Sequence, residues 1–160
     1  MRNRRGARWG LGCAGMLAMS ALAPAEPPQA PPQPSAAVKE AAQVKIRAAT
    51  EILTMCREFL VAPPGERGTP PPVEVAEQIQ QWSRALTDAK LEGAEDKAAR
   101  LAILAEALDR AKGFEGEIKD LTANEASGLT KLTAAKAAYY RADAQGRLIR
   151  EREAGDRPAR

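Results

Sequence analysis

The sequence predicts an all-α protein built from long antiparallel helical hairpins that pack as a coiled coil. Three observations predict this fold class. Apolar residues recur at alternating spacings of three and four over four separate segments, which is the a/d pattern of a coiled coil. Aromatic residues make up only 4% of the chain, and no stretch of strand length alternates apolar with polar side chains. Clusters of proline or glycine separate the segments, as expected for turns between helices.

The first 25 residues predict a signal peptide. Four arginines precede Trp9 without any acidic residue, and an apolar stretch follows from Trp9 to Ala23. This stretch is shorter than the roughly 20 residues that span a bilayer, and Ala23-Pro24-Ala25 has the small-x-small pattern of a cleavage site. We therefore expect an exported protein of the periplasm or cell envelope, or a secreted one, with membrane contact through the signal alone. An uncleaved anchor and a lipid anchor at Cys13 are the alternatives.

The net charge of the protein depends on this signal. The full chain has 24 Lys and Arg against 21 Asp and Glu, which gives a net charge of +3. The signal contains four of the basic residues and no acid, so the remaining chain has 20 basic and 21 acidic residues, a net charge of −1. Nucleic-acid binding requires a cationic surface. This balance therefore argues against a nucleic-acid partner.

The first helix is expected to follow a proline-rich segment. Residues 26–35 predict a disordered, extended spacer, and Ser35 is the expected N-cap of a helix that continues to Leu60. Its apolar positions are Ala42, Ile46, Ala49, Leu53, Cys56 and Leu60. The proline-rich residues 62–72 end this helix, because proline lacks an amide donor and clashes with the preceding turn.

The second and third helical segments flank a short polar stretch that contains Gly93. The sequence leaves open whether this glycine kinks one long helix or separates two. The second segment begins near Val73, and its apolar positions are Val75, Ile79, Trp82, Leu86 and Ala89. The apolar positions of the third segment are Leu101, Leu104, Leu108, Ala111, Ile118 and Leu121. Gly113 and Gly116 are expected to weaken the far end of the third segment, since glycine disfavours a helix interior.

The fourth helical segment follows a predicted turn over residues 122–128. Its predicted buried positions are Leu132, Ala135, Tyr139, Ala142, Gly146 and Ile149. They continue the same alternation of three and four, so the sequence predicts that this face packs against the other helices. Residues 154–160 are expected to form a disordered tail.

Two parts of the chain resemble each other, which predicts a duplicated helix-turn-helix unit. Shifts of 57 and 55 residues align similar side chains. The aligned pairs include Trp82 with Tyr139, Arg84 with Arg141, and Phe59 with Phe114. We therefore expect one helical domain over residues 36–153, with repeat one at about 36–92 and repeat two at about 94–153. Chance similarity among residues that are common in helices is the alternative.

The segment KLTAAKAAYYRADAQ, residues 131–145, follows a long helix rich in Ala and Leu and a short polar turn with Gly128 and Thr130. This combination resembles the helical hairpin of the outer-membrane efflux protein (TolC-like) family. It also resembles short secreted planctomycete-type helical proteins. The resemblance covers residues 73–153 at most. It implies the hairpin architecture and an envelope setting, and it does not imply transport.

The residue types needed by common enzyme sites are missing from the sequence. The chain contains no histidine, and Cys56 is the one cysteine after the signal. Neither a proton-shuttling imidazole nor the ligand set of a common zinc site can be assigned. We therefore predict a non-enzymatic protein without catalytic, cofactor-binding or metal-binding residues. Cys56 is interpreted as a buried apolar residue, with a disulfide between molecules as the alternative.

The remaining candidate site residues are aromatic, cationic or thiol side chains of the helices. They are Trp82, Tyr139, Tyr140, Arg84, Arg141 and Cys56. Aromatic residues at helical spacing are expected in the seam between helices, and a partner-binding patch is the alternative. Because Ala-rich seams bury little apolar area, we expect helices that associate with a protein partner or with themselves.

These patterns predict a structural or protein-interaction role in the cell envelope. Two alternatives remain. One is an accessory component of an efflux or secretion assembly, which docks its hairpin against a partner's helices. The other is a small ligand-binding helical bundle, which requires a cavity between the helices.

Export predicts a defined N-terminus for the mature protein. Expression of the full sequence in a Gram-negative host should give periplasmic protein that begins at Glu26, because signal peptidases cut after small residues. N-terminal sequencing and intact mass check this. Ala25→Leu should keep the signal attached, and a wild-type chain that keeps its full 17.1 kDa in the membrane fraction would contradict the prediction.

Overall fold

The computed structural model describes residues 33–61, 70–123 and 128–154. Its four helices are α1 (Ala36–Val61), α2 (Pro72–Glu92), α3 (Lys97–Ala123) and α4 (Lys131–Glu153). No strand occurs in these three ranges, so the all-α prediction is confirmed. The predicted signal peptide lies outside the described residues, as do most of the predicted spacer, the proline-rich turn and the tail.

The helices form two antiparallel hairpins. α1 packs along α2, and α3 packs along α4. Lys39, near the start of α1, forms an ion pair with Glu95, just after α2. Arg100, near the start of α3, forms an ion pair with Glu151, near the end of α4. Because α2 packs against both α3 and α4, it connects the two hairpins, and the predicted hairpin architecture is confirmed.

Three ion pairs set the register between α2 and α4. They are Glu77 with Lys136, Arg84 with Asp143, and Asp88 with Arg147. The two residues of each pair are separated by 59 positions. A constant separation means that the two helices run in the same direction and advance together along this contact. Exposed ion pairs contribute little stability individually, but three in one register favour a single alignment of the hairpins.

The boundaries of the first hairpin follow from capping and proline geometry. The Ser35 hydroxyl accepts a hydrogen bond from the Val38 amide at 3.3 Å, which confirms the predicted N-cap. α2 begins at Pro72, where a missing amide donor is tolerated because the first turn leaves its amides unpaired. α2 ends before Gly93 and α3 begins at Lys97. The glycine therefore separates two helices, which settles the question that the sequence left open.

A capping box begins α4. The Thr133 amide donates to the Thr130 hydroxyl at 3.3 Å, and the Thr130 amide donates to the Thr133 hydroxyl at 3.4 Å. This reciprocal pair satisfies two backbone donors that the start of a helix otherwise leaves unpaired. Gly128, just before it, has a φ of 69°, a conformation that glycine adopts without strain.

The hydrophobic core lies towards the end of the bundle that contains the end of α1 and the start of α2. All four helices contribute to it. Its buried members are Leu60, Val75, Ala76, Ile79, Ala111, Phe114, Ile118, Ala137, Tyr140 and Ala144. Four of these ten side chains are alanine, so the helices approach closely around a few large residues. Phe114 is the largest fully buried side chain, with 1% of its surface exposed.

The predicted apolar positions of α1, α2 and α3 are all buried or half-buried, which confirms three of the four predicted seams. α3 also buries Phe114 and Ala107, which were not among its predicted apolar positions. The helix continues through Gly113 and Gly116 to Ala123, and the expected loss of helix stability at these two glycines stays a prediction. Both glycines are exposed, so they lie on the face of α3 away from the core.

The predicted buried face of α4 is wrong. Leu132, Ala135, Tyr139, Ala142 and Ile149 are exposed, and Gly146 is half-buried. The residues that α4 buries are Thr133, Ala137, Tyr140, Ala144 and Leu148. These also recur at spacings of four and three, and at 100° per residue they lie on the opposite side of the helix. The prediction chose the wrong side because each set contains one tyrosine, but the exposed set has two large aliphatic residues, Leu132 and Ile149, and the buried set contains a threonine.

The predicted duplication stays a prediction. Each hairpin consists of two helices packed together, as the duplication requires. However, Phe59 is 42% exposed and its aligned residue Phe114 is 1% exposed. Aligned positions in the two hairpins therefore need not share an environment.

These two phenylalanines provide a matched test of the core. Phe114→Ala should lower the free energy of unfolding by about 3–5 kcal/mol, because it removes a fully buried ring from a core that has few large side chains. Phe59→Ala should lower the free energy of unfolding by less than about 1 kcal/mol. Urea unfolding followed by circular dichroism measures both. Equal losses in the two variants would show that the core is placed wrongly.

Candidate interaction surfaces

The large hydrophobic side chains that remain exposed are confined to α1 and α4 within the described ranges. They are Val38, Val44, Met55, Phe59 and Val61 on α1, and Leu132, Tyr139 and Ile149 on α4. The described residues of α2 and α3 include no exposed large hydrophobic side chain. Scattered exposed apolar residues are normal on a protein surface. The confinement of the large exposed hydrophobic side chains to two helices is unusual, and it marks both helices as candidate interaction surfaces.

The α4 stripe consists of the six residues that the sequence analysis predicted to be buried on this helix. They are Leu132, Ala135, Tyr139, Ala142, Gly146 and Ile149. The stripe is about 26 Å long at 1.5 Å per residue. Tyr139 is 70% exposed and Leu132 is 65% exposed. α4 therefore has apolar residues on two faces, one that packs in the core and one that is exposed and has coiled-coil spacing.

A second stripe lies along α1, and the sequence analysis missed it. The α1 stripe consists of Val38, Ala41, Lys45, Ala48, Ile52, Met55 and Phe59. All are exposed except Ile52, which is half-buried. Its spacing alternates between three and four, beside the face that packs on α2. Testing every register of α1 for this spacing would have found it.

Tyr139 and Tyr140, the predicted aromatic pair, have opposite environments. Tyr139 belongs to the exposed α4 stripe, whereas Tyr140 is 3% exposed. The Arg84 guanidinium lies 5.5 Å from the centre of the Tyr140 ring, within the range of a cation–π contact. Burial raises the pKa of the Tyr140 hydroxyl. Arg84 also pairs with Asp143 at 3.4 Å. Arg84 and Tyr140 therefore join the two hairpins, and Tyr140 is buried whereas Arg84 stays exposed.

Trp82 and Cys56 are both half-buried residues of the first hairpin. Trp82 is half-buried, and its indole nitrogen donates to the side-chain oxygen of Gln78 at 3.1 Å. Cys56 is half-buried against the core and forms no disulfide with another described residue. Burial raises the pKa of its thiol, which lowers its reactivity. Both residues therefore fit the predicted seam better than a surface patch.

Arg141 binds a carboxylate of α3. Its Nε donates to Glu115, which also pairs with Lys119 at 2.8 Å. The Lys119 and Arg141 cations hold the pKa of the Glu115 carboxyl below its ordinary value of 4.5. Glu115 is 8% exposed, so its two cations stabilise a charge that would otherwise be costly at this position. Arg141 thus joins α4 to α3.

A similar cluster joins α2 to α3. Lys90 and Arg110 both form ion pairs with Glu106, at 2.7 and 2.6 Å. The bond from Lys90 is the main cause of a lowered pKa at the Glu106 carboxyl. Arg110 also donates to the Thr87 hydroxyl at 2.9 Å. These contacts join α2 to α3, although the buried Nε of Arg110 has no hydrogen-bond partner among the described residues.

The spaces near these clusters differ in volume. The one beside Tyr140 and Arg84 has a volume of about 10 Å³, enough for about one water molecule. A groove of about 290 Å³ between α1 and α3 is open to solvent. In the described ranges, no three His, Cys, Asp or Glu side chains come together in a way that would hold a metal ion. None of the described helices is both long enough and apolar enough to span a bilayer.

Comparison with known proteins adds no relationship. No protein-family model matches the sequence, and no curated protein or solved structure gives a significant match. The resemblance to the TolC-like family therefore rests on the sequence pattern alone.

The Glu115 ion pairs predict a pH dependence of stability. The unfolded chain binds a proton at Glu115 near pH 4.5, whereas the folded chain binds it at lower pH. The ion pairs of Glu115 therefore stabilise the folded chain above pH 4.5, and this stabilisation is lost as the pH falls through the pKa of Glu115 in the folded chain. Glu115→Gln should be less stable than wild type at pH 7 and should lose less stability between pH 7 and pH 3.

Urea midpoints at several pH values measure this effect. Glu117→Gln is the matched control, because Glu117 lies on the same helix and forms no ion pair with another described residue. It should keep the pH dependence of wild type. An identical pH dependence in Glu115→Gln and wild type would contradict the assignment.

Proposed function

We propose that this protein is a non-enzymatic helical interaction protein of the cell envelope, which binds a helix of a protein partner along the α4 stripe. One observation carries the proposal. α4 has a second apolar face with coiled-coil spacing, opposite the face that it buries in its own core. An isolated domain gains nothing from that face, whereas a second helix packed on it would remove its large side chains from water.

The energetics support a helix as the ligand. Burial of an exposed large apolar side chain contributes roughly 2 kcal/mol, and the α4 stripe has three, Leu132, Tyr139 and Ile149. Ala135, Ala142 and Gly146 between them are small, so a partner helix can approach closely. Association and the ordering of side chains offset part of this gain. The expected outcome is a specific contact of moderate strength.

The envelope location is supported by the N-terminal sequence. The basic start, the short apolar stretch and the cleavage pattern all precede residue 26. The proline-rich segment after them is suited to a spacer. The helical interaction domain would then act outside the cytoplasm.

An accessory role in an efflux or secretion assembly is the second candidate. The segment that resembles the TolC-like hairpin includes α4, so the α4 stripe lies on the returning helix of that hairpin. The partner would then be a helical hairpin of the assembly. A ligand-binding bundle has less support, because the space beside Tyr140 admits only about one water molecule and the larger spaces, of about 290 to 590 Å³, are grooves open to solvent.

Site-specific photocrosslinking in cells tests the proposal. A photoreactive phenylalanine at position 139 or 132 should crosslink to a discrete protein product. The photoreactive phenylalanine at position 81, which is exposed on α2, is the matched control and should form no crosslinked product. Tyr139→Glu should abolish the crosslinked product formed from position 132. Equal crosslinking from positions 139 and 81 would contradict the assignment of the α4 stripe.

A further inference from the structure

We infer that the partner of the α4 stripe is a second copy of this chain, whose α1 stripe packs antiparallel against it. This inference rests on the proposed function and names its partner. Each copy has both stripes exposed. The two stripes are complementary in the spacing and size of their side chains and in the charges that flank them, and they do not pack on each other within one chain.

The spacing of the two stripes matches over six consecutive positions. In an antiparallel coiled coil, an a position of one helix faces a d position of the other. If Met55 of one copy faces Leu132 of the other, five further pairs follow without a gap. They are Ile52 with Ala135, Ala48 with Tyr139, Lys45 with Ala142, Ala41 with Gly146, and Val38 with Ile149.

The sizes of the facing residues fit this register. Tyr139, the largest residue of the α4 stripe, faces Ala48, and Ile52 faces Ala135. Pairs of large residues close the two ends of the contact. Lys45 faces Ala142, and its ammonium pairs with Glu92 at 2.7 Å within its own chain. Its aliphatic stem can therefore cover the alanine while its charge stays neutralised.

The charges beside the two stripes are opposite in sign. Glu40, Glu51 and Glu58 lie along the outer flank of the α1 stripe, and Arg47 is the one base among them. Each is exposed and has no ion-pair partner among the described residues. This flank therefore has a net charge of −2.

The flanks of the α4 stripe are mainly basic. Lys136 and Asp143 are already paired with residues of α2. Lys131, Arg150 and Arg152 have no ion-pair partner among the described residues, and Glu153 at the end of α4 is the one unpaired acid there. Lys131 and Arg152 lie on the same side of the α4 stripe, and their charge of +2 is opposite in sign to the −2 of the α1 flank.

Charge also disfavours the two symmetric alternatives. Packing of α4 on another α4 in antiparallel order would place Lys131 near Arg150 or Arg152 of the second copy. Packing of α1 on another α1 would bring Glu58 near Glu40. Like charges across an interface oppose association. The register of α1 on α4 instead places Glu58 beside Lys131.

Sedimentation velocity and light scattering over a concentration series test the inference on protein purified from cells that express the full sequence. Wild type should associate reversibly. Tyr139→Glu should weaken association by about thirtyfold or more, the effect of losing a central aromatic residue. Gln81→Glu adds the same charge to an exposed position of α2 and should associate like wild type. Circular dichroism should show that both variants keep the helical content of wild type.

A charge exchange tests the register. Glu58→Lys and Lys131→Glu should each weaken association by about fivefold, because each places like charges side by side. The double variant should recover to within about twofold of wild type. A double variant that is weaker than either single variant would overturn the register and, with it, the inference.

The remaining outcomes separate this inference from the proposed function. A wild-type chain that stays monomeric at millimolar concentration overturns the inference. The proposed function still stands in that case if position 139 crosslinks to a different protein. Binding of monomers to vesicles of phosphatidylethanolamine and phosphatidylglycerol, lost in Tyr139→Glu, would overturn both in favour of a lipid surface.

Discussion

The structure depends on one constraint, which is that α4 has apolar residues on two opposite faces and only one of them can enter the core. The face with Tyr140 and Leu148 is buried, and the face with Leu132 and Tyr139 is left in solvent. Polar contacts decide between the two faces. Tyr140 packs beneath the Arg84 guanidinium, and the α4 residues that pair with α2 lie between the two faces. The more apolar face remains available because the less apolar one makes better contacts within the chain.

α2 holds this arrangement in place. It packs along α1, contacts α3 and α4, and has no large apolar side chain in solvent. Its ion pairs with α4 keep one register, and the Lys90, Glu106 and Arg110 cluster joins it to α3. α1 packs mainly on α2 and α4 packs mainly on α3, and each of these two helices keeps an exposed apolar stripe.

Much of the fold could be predicted from the sequence because helices leave strong local signals. Ser35 and the proline-rich segment fix the ends of α1, and the spacing of apolar residues placed three of the four buried faces. The choice of face on α4 could not be predicted, because spacing alone does not distinguish a face that packs internally from one that stays exposed. The α1 stripe was missed for the same reason. The ion-pair register of α2 and α4 joins residues 59 positions apart, and no local pattern encodes such a contact.

The central claim is that neighbouring tyrosines on α4 face a partner and the core, respectively. Hydroxyl-radical footprinting over a range of protein concentrations tests this claim most directly, because it reports the solvent exposure of each side chain. The account predicts that Tyr140 is protected at every concentration, whereas Tyr139 reacts fully in dilute protein and becomes protected as molecules associate. Fast oxidation of Tyr140 in folded dilute protein, or protection of Tyr139 there, would contradict it.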